Sequence, residues 1–135
     1  MNVRGFASLA RSHRWRLDQL RRKVAELDAM RVGLVEQDMA LERQLAAERQ
    51  TAGAMTLVDF AAYSRRIGER RDSLAKSIAE LVRALAQASE QVAEEYRQAK
   101  KYEIALDREA ERRRREQQRR EQADLDEIGL TYHNA

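Results

Sequence analysis

The side chains best able to do chemistry in this chain are two histidines, His13 and His133, and 23 carboxylates. The two histidines lie far apart and the chain has no cysteine, so neither a helix-borne pair of histidines nor a thiolate zinc site can form. No glycine-rich phosphate loop and no Gly-x-Ser-x-Gly motif is present. We therefore predict a protein that is not an enzyme and that binds no cofactor and no metal, with His13 in a helix seam or a partner contact.

The composition indicates which elements must position the remaining charged side chains. Of the 135 residues, 36% are charged, 43% hydrophobic and only 5% aromatic, and there is no proline. Long helices have this composition, whereas β-sandwiches, disulfide scaffolds and collagen do not. No run approaches the roughly 18 apolar residues of a membrane helix. We predict an all-α protein in the cytoplasm.

A heptad repeat runs through the first third of the chain. With Leu17 at position a, apolar residues recur every three to four residues and form one narrow stripe, which must be buried against another helix. The d positions are Leu20, Leu27, Leu34 and Leu41, and the a positions are Leu17, Val24, Arg31, Asp38 and Leu45. The polar residues Arg31 and Asp38 interrupt the stripe, and polar a residues usually set register or partner number.

One segment between residues 50 and 56 has the properties of a turn. Gly53 suits the position just after a helix, because glycine adopts the left-handed conformation without penalty. Thr56 can cap the next helix, and Asp59 places a negative charge in its first turn. Gly129 is a second predicted helix stop.

A second heptad repeat follows the turn. Its d positions are Phe60, Ile67, Leu74, Leu81, Ala88, Glu95 and Tyr102, and its a positions are Ser64, Arg71, Ile78, Leu85, Val92, Ala99 and Leu106. Two long heptad segments joined by a short connection favour antiparallel neighbours. We predict an antiparallel coiled-coil hairpin of two long helices, the second longer than the first.

The predicted hairpin is a single domain over residues 1–135. Helix 1 covers about 8–51, the turn 52–56, helix 2 about 57–124, and a loose tail 125–135. Folding at the turn sets Leu34 near 74–76 and leaves helix 2 without an intrachain partner beyond about residue 105. Glu–Arg pairs four residues apart, such as Glu111–Arg115 and Glu116–Arg120, would stiffen that unpartnered segment.

The charges are unevenly placed along the chain. Residues 1–23 carry a net +6, residues 24–107 a net −3, residues 108–122 a net +3, and the last thirteen residues a net −3. In the hairpin, both basic segments come to the same end. Such an end could bind an acidic protein surface or the phosphates of a nucleic acid. Acidic protein is favoured, because four glutamates interrupt the second basic segment.

Four segments together resemble the FliJ family of flagellar type III export proteins, to which the stalk proteins of virulence type III secretion are related. They are LARSHRWRLDQLRRKVAEL (9–27), TLVDFAAYSRRI (56–67), EEYRQAKKYEIALDREAERR (94–113) and EQADLDEI (121–128). The likeness covers most of the chain and depends on the order of the segments, the total length and the position of the turn. It implies a coiled-coil hairpin similar to the central stalk of rotary ATPases.

The resemblance also implies partners and the residues that contact them. The expected partners are a FliI-like hexameric export ATPase, whose ring assembly the protein promotes, an FlhA-like export gate protein in the inner membrane, and escort chaperones of export substrates. The residues implied for the ATPase are Arg14, Arg21, Arg22, Arg112, Arg113, Arg114 and Arg115. Those implied for the gate are Phe60, Tyr63, Arg66 and Ile67, of which Phe60 and Ile67 are seam positions and favour core packing. The resemblance implies a cytoplasmic protein peripherally associated with the membrane export apparatus, and an elongated monomer in isolation.

Two alternatives stay open on the sequence. The chain could be a structural coiled coil that self-associates, or an adaptor in another secretion assembly. Binding of nucleic acid is a third reading, which the absence of an Asn placed to contact base edges disfavours. The sequence does not distinguish a flagellar from a virulence-type system.

Overall fold

Two long α-helices make up the part of the chain that the structure, a computed structural model, describes, namely residues 3–51 and 56–134. Helix α1 covers Val3–Gln50 and helix α2 covers Leu57–Asn134. No strand occurs within these described ranges. The predicted all-α fold of two long helices, the second longer than the first, is confirmed.

The start of α2 follows the predicted capping pattern. The backbone N–H of Asp59 donates to Thr56 Oγ1 at 3.2 Å, and the N–H of Phe60 donates to the Thr56 carbonyl at 2.9 Å. The first bond satisfies a donor that the first turn of a helix otherwise leaves unpaired, and the second is the first regular i to i−4 bond of α2. The predicted role of Gly53 lies outside the described residues.

Both helices extend further than the sequence predicted. Helix α1 begins at Val3 instead of about residue 8, and α2 continues to Asn134 through the segment expected to be a loose tail. The prediction that Gly129 stops the helix was wrong, because no described glycine has a positive φ. A glycine in a helix costs only about 1 kcal/mol relative to alanine, and nothing else between Glu121 and Asn134 breaks the helix.

The chain divides into two compact units, each containing a segment of both helices. One comprises residues 18–93, and the other comprises residues 1–17 together with 94–135. Within the described part of each unit the segments are antiparallel. In the second unit, Phe6 contacts Tyr102 and His13 contacts Glu95, so the chain numbers rise on α1 as they fall on α2.

The predicted heptad positions form the contact between the helices in both units. Every a and d residue named for the two repeats is buried or half-buried. The most enclosed are Leu17 at 0% exposure, Ala99 at 0%, Ala88 at 2% and Ile67 at 8%. The d series continues one heptad further than predicted, to Glu109, which is 9% exposed.

Packing along α2 therefore ends later than expected. Val3, near the start of α1, shares a shallow depression with Leu106, Glu109, Ala110 and Arg113 of α2. The predicted limit of about residue 105 was wrong because α1 begins five residues earlier than the sequence indicated. From Gln117 to Asn134 every residue is exposed. Neither helix has, in its described residues, a stretch long and apolar enough to cross a membrane.

Candidate partner-binding surfaces

The seam between residues 3–17 and 94–113 is polar and aromatic. His13 Nδ1 lies 2.5 Å from Glu95 Oε2, and the two side chains are only 13% and 20% exposed. The His13 ring stacks on Tyr102 with centroids 5.6 Å apart, and Phe6 lies 5.8 Å from the same tyrosine. The histidine is therefore a seam residue. No group of three or more potential metal ligands occurs among the described residues.

Arg14 connects the two helices of this unit. Its Nε and Nη2 donate to the two carboxylate oxygens of Glu103 at 2.5 and 2.8 Å, and its guanidinium lies 5.8 Å from the ring centroid of Tyr96. The hydrogen bond from Arg14 holds the pKa of Glu103 below its usual value, against the opposing effect of desolvation. Because this bidentate contact occupies two donors, Arg14 is first of all a structural contact.

The four consecutive arginines 112–115 are largely neutralised by glutamates of their own helix. Glu109 Oε1 lies 2.7 Å from Arg112 Nη2 and 3.5 Å from Arg113 Nε, and Glu111 pairs with both Arg114 and Arg115. Hydrogen bonding to Arg112 lowers the pKa of Glu109, and the same contact raises the pKa of Arg112. The four arginine side chains nevertheless remain 62–74% exposed. Glu111 is 38% exposed, so Arg114 and Arg115 are better able than Arg112 and Arg113 to exchange it for a partner's carboxylate.

Of the two glutamate–arginine pairs predicted for this segment, one forms and the other does not. The pair Glu111–Arg115 forms at 3.3 Å. Glu116 does not pair with Arg120 as expected, but lies 3.6 Å from Arg112. Glu116 has an arginine four residues away on either side, and its carboxylate turns toward the one nearer the packed part of α2.

Arg21 and Arg22 lie in the other unit, on α1, and both are exposed. No ion pair involves either of them within the described residues. They differ in this respect from Arg14 and Arg112, which sequence reasoning placed in the same group.

The four residues implied for the gate protein lie near the start of α2 and differ in accessibility. Arg66 is exposed, Phe60 and Tyr63 are half-buried, and Ile67 is 8% exposed. Ile67 is thus a core residue, as its seam position favoured. The side chain of Ile67 can affect a partner only through the shape of α2.

Two exposed apolar residues beside this group were missed in the sequence. Leu57 is 87% exposed and Val58 is 78% exposed. Leu57 lies seven residues before Ser64, so it continues the a series by one heptad, whereas Val58 lies off the seam. The signal that could have found them is a pair of adjacent aliphatic residues in the first turn of a helix, ahead of the first heptad position named for the second repeat.

The polar a positions of the two repeats meet each other. Arg71 Nε donates to Asp38 Oδ1 at 2.9 Å, and Arg71 Nη2 lies 3.7 Å from Glu42 Oε2. The hydrogen bond to Asp38 raises the pKa of Arg71. The sequence analysis named Asp38 as an interruption of the apolar stripe and Arg71 as an a position, and their pairing gives that unit a register marker.

An open face of α2 forms a shallow depression lined by charged and amide side chains. Its lining residues are Asp107, Arg108, Glu111, Arg112, Arg115, Gln118, Arg119 and Gln122. A face of one helix does not exclude water from a reacting group, so this surface suits a protein contact better than a reaction.

Comparison with known proteins identifies the family of the chain. The sequence model of one protein family, described as flagellar FliJ protein, matches residues 11–134. No curated protein and no solved structure matches the chain closely enough to add to that finding. The match covers both helices, from the third turn of α1 to the end of α2. The chain has two antiparallel helices with a heptad seam, exposed arginines and an exposed apolar helix start. It belongs to the FliJ family, a group of non-catalytic proteins of flagellar export.

Proposed function

We propose that this protein is an accessory stalk of the flagellar export ATPase, and that it couples the ATPase to the export gate. The observation that carries the proposal is the family match over residues 11–134. The heptad-paired helices supply a rigid support, and the exposed arginines and apolar residues outside the seam supply contact surfaces.

The arginines that we assign to the ATPase form two separate groups, Arg14 with Arg112–Arg115 in one unit and Arg21 with Arg22 in the other. The strongest part is the 112–115 segment, because four guanidiniums that are 62–74% exposed offer many donors to carboxylates. The pairs of Arg114 and Arg115 with Glu111, which is 38% exposed, can be exchanged at low cost, whereas the pairs with the buried Glu109 hold Arg112 and Arg113 in place. Promotion of ring assembly would follow if the helix contacts more than one ATPase subunit.

The gate-binding surface is the start of α2. Arg66 and Tyr63 are the accessible members of the implied set, and the exposed Leu57 and Val58 add apolar area next to them. A small apolar patch with an aromatic and an arginine has the composition of an interface centre. We include Phe60 and Ile67 as residues that support this surface from the seam.

The remaining parts of the proposal concern location and cargo. The protein would be cytoplasmic and would reach the inner membrane only through the export apparatus, where it would also escort export chaperones. It would act in the assembly of the flagellum and thus in motility.

Binding to the cognate export ATPase tests the first part. We expect the full chain to bind the ATPase and to increase both ring formation and ATP hydrolysis. A variant with Arg112–Arg115 changed to Ser should lose most of the stimulation and keep its helicity, while Arg65, Arg66 and Arg70 changed to Ser should keep the stimulation. No binding and no stimulation by the unmodified chain would refute the proposal.

Binding to the cytoplasmic domain of the gate protein tests the second part. Leu57→Ser combined with Arg66→Ala should weaken this binding at least tenfold and leave ATPase stimulation intact. The exposed Val82, which is 49% accessible and lies away from the start of α2, provides the control substitution Val82→Ser. Equal effects of the two changes would contradict the assignment of the surface.

A further inference from the structure

Two oppositely charged surfaces lie on the unit formed by the start of α1 and the second part of α2. Residues 3–17 carry four arginines and no acidic residue, a net +4. Residues 121–134 carry four acidic residues and no lysine or arginine, a net −4 with neutral histidine. The arginines are Arg4, Arg11, Arg14 and Arg16, and the acidic residues are Glu121, Asp124, Asp126 and Glu127.

Each surface also exposes large apolar side chains. Trp15 is 65% exposed on α1, close to Arg11 and Arg16 in sequence. On the end of α2, Leu125 is 61% exposed and Leu130 62%. A tryptophan beside arginines is typical of residues that dominate protein interfaces. The side of α1 that exposes Arg4, Arg11 and Trp15, and residues 117–134 of α2, are accessible to solvent in the described part of the chain.

The two surfaces cannot meet within one copy of the chain. Val3, near the start of α1, lies next to Leu106 and Arg113, and α2 continues beyond them as a helix to Asn134. All residues of 117–134 are exposed. The acidic segment thus lies past the first turn of α1 and has no α1 residue at its level.

We propose that the acidic end of α2 binds the first turns of α1 of a second copy. Two copies placed antiparallel overlap through the ends of their α2 helices, so each gives one acidic end and receives one. Because the contact is reciprocal, the assembly closes at two copies. Ala123, Glu127 and Leu130 continue the heptad positions of α2, so the face that packs on α1 lower down the helix is the one that meets the second copy.

The size of the overlap sets the expected strength. Two contacts between helical segments of this length bury on the order of 1,200 Å² in total, the lower end of the range for stable interfaces. Exposed charge pairs also weaken with ionic strength, since the Debye length falls to about 3 Å at 1 M salt. The chain should therefore be monomeric when dilute and dimeric at micromolar to tens of micromolar concentration in low salt.

This dimer has a consequence that rests on the proposed function. Its interface covers the first turns of α1 and hence the neighbourhood of Arg14, so dimerisation would compete with binding of the export ATPase. The dimer itself needs no other protein, and its failure is therefore distinguishable from failure of the proposed function.

Sedimentation of the full chain over a range of concentrations tests the dimer. We expect the weight-average mass to double with concentration in low salt and to return to the monomer value at about 0.5 M salt. The variant Asp124→Lys, Asp126→Lys, Glu127→Lys and the variant Arg4→Glu, Arg11→Glu should each dissociate at least tenfold more readily. An equimolar mixture of the two should regain a dimer, because its acidic and basic segments are again complementary in one of the two contacts.

A charge-matched control separates this interface from a general effect of net charge. Glu69→Lys, Glu80→Lys and Glu90→Lys make the same change of net charge at exposed residues of the other unit. This control should dimerise like the unmodified chain, and all variants should keep their helical circular dichroism. A monomer at every concentration, or a dimer that the reversals at 124–127 do not weaken, would overturn the proposal.

Discussion

At the scale of single residues, the polar positions of the heptad seam have assigned partners. Asp38 is paired with Arg71, and His13 with Glu95, each in a place where a leucine would extend the apolar stripe. Such pairs stabilise a coiled coil less than apolar residues do, but they disfavour shifted registers in which a charge would face a leucine. The seam thus gives up some stability for a defined alignment of the two helices.

The Asp38–Arg71 pair yields a prediction about unfolding. Arg71→Leu or Asp38→Leu alone should lower the Tm by a few degrees, because each leaves one charge half-buried without its partner. The double change to leucine should restore the Tm or raise it above that of the unmodified chain. Thermal unfolding followed by circular dichroism measures all three variants.

Arg65, an exposed residue six positions before Arg71 on α2, supplies the control for helix propensity. Arg65→Leu should leave the Tm unchanged. A double variant less stable than both single variants would show that the pair contributes net stability.

The Glu103–Arg14 pair predicts a dependence of stability on pH. Glu103 faces Arg14 from α1 and Lys100 from its own helix, and these cations lower its pKa in the folded chain below the ordinary value of 4.5. The stabilisation is therefore complete above pH 4.5 and is lost as the pH falls through the lower folded value. Glu94 and Glu109, whose pKa values are also lowered, act in the same direction.

The corresponding measurement is the Tm between pH 6 and pH 3. It should fall toward acid in the unmodified chain, and Glu103→Gln should reduce both the Tm at pH 6 and the size of the fall. Glu80→Gln, at an exposed position, should reproduce the unmodified curve. An unchanged fall in the Glu103 variant would contradict the assignment.

At the scale of the elements, the helices contain glycines that no contact requires. A Cβ added at Gly33, Gly68 or Gly129 would meet nothing within 4 Å, and none of the three has a positive φ. The cost of glycine in a helix is mainly the conformational entropy of the unfolded chain, so it is removed by alanine where the conformation allows.

Alanine at these glycines should therefore stabilise the packed helices. Gly33→Ala and Gly68→Ala should each raise the free energy of unfolding by about 1 kcal/mol. Gly129→Ala should increase the helical signal without changing the Tm of a dilute sample, since residues around it are exposed. Urea unfolding measures the free energy of unfolding, and circular dichroism without urea measures the helical signal. A lower free energy of unfolding for Gly68→Ala would indicate a close contact at that position.

At the scale of the whole chain, the boundaries of the charged segments do not coincide with the end of the packing between α1 and α2. Packing of α1 on α2 continues to about Arg113, whereas the basic block continues to residue 122 and the acidic block follows it. The last 18 described residues, from Gln117, contribute surface and no packing. Their retention in a helix with exposed leucines is consistent with a binding role.

Truncation tests this division. A chain ending after Glu116 should keep the Tm of the dilute unmodified chain and lose only helical signal in proportion to its length. A chain ending after Ala99 should unfold at a clearly lower temperature, because it lacks Tyr102, Glu103 and Glu109. A large fall in Tm for the chain that ends after Glu116 would mean that the end of α2 packs within one copy.

Much of the fold could be predicted from local sequence patterns. Every named a and d position is buried or half-buried because the 3.5-residue period fixes which side of a helix is apolar, whatever the helix packs against. The Thr56 cap depends on neighbouring residues only and was also predictable. The ends of the helices were less predictable. Gly129 carries a stop signal, yet the residues around it sustain the helix.

The two helices, their seam and the placement of charge were predictable from the sequence, because they depend on residue type and spacing within one helix. Which charged side chains form ion pairs with one another depends on the tertiary structure. Arg14 and Arg71 bind carboxylates of the opposite helix, while Arg112–Arg115 pair with three glutamates of their own helix, Glu109, Glu111 and Glu116. The reason is geometric: an ion pair needs two side chains within about 4 Å, and the distance between residues on different helices depends on the register of packing.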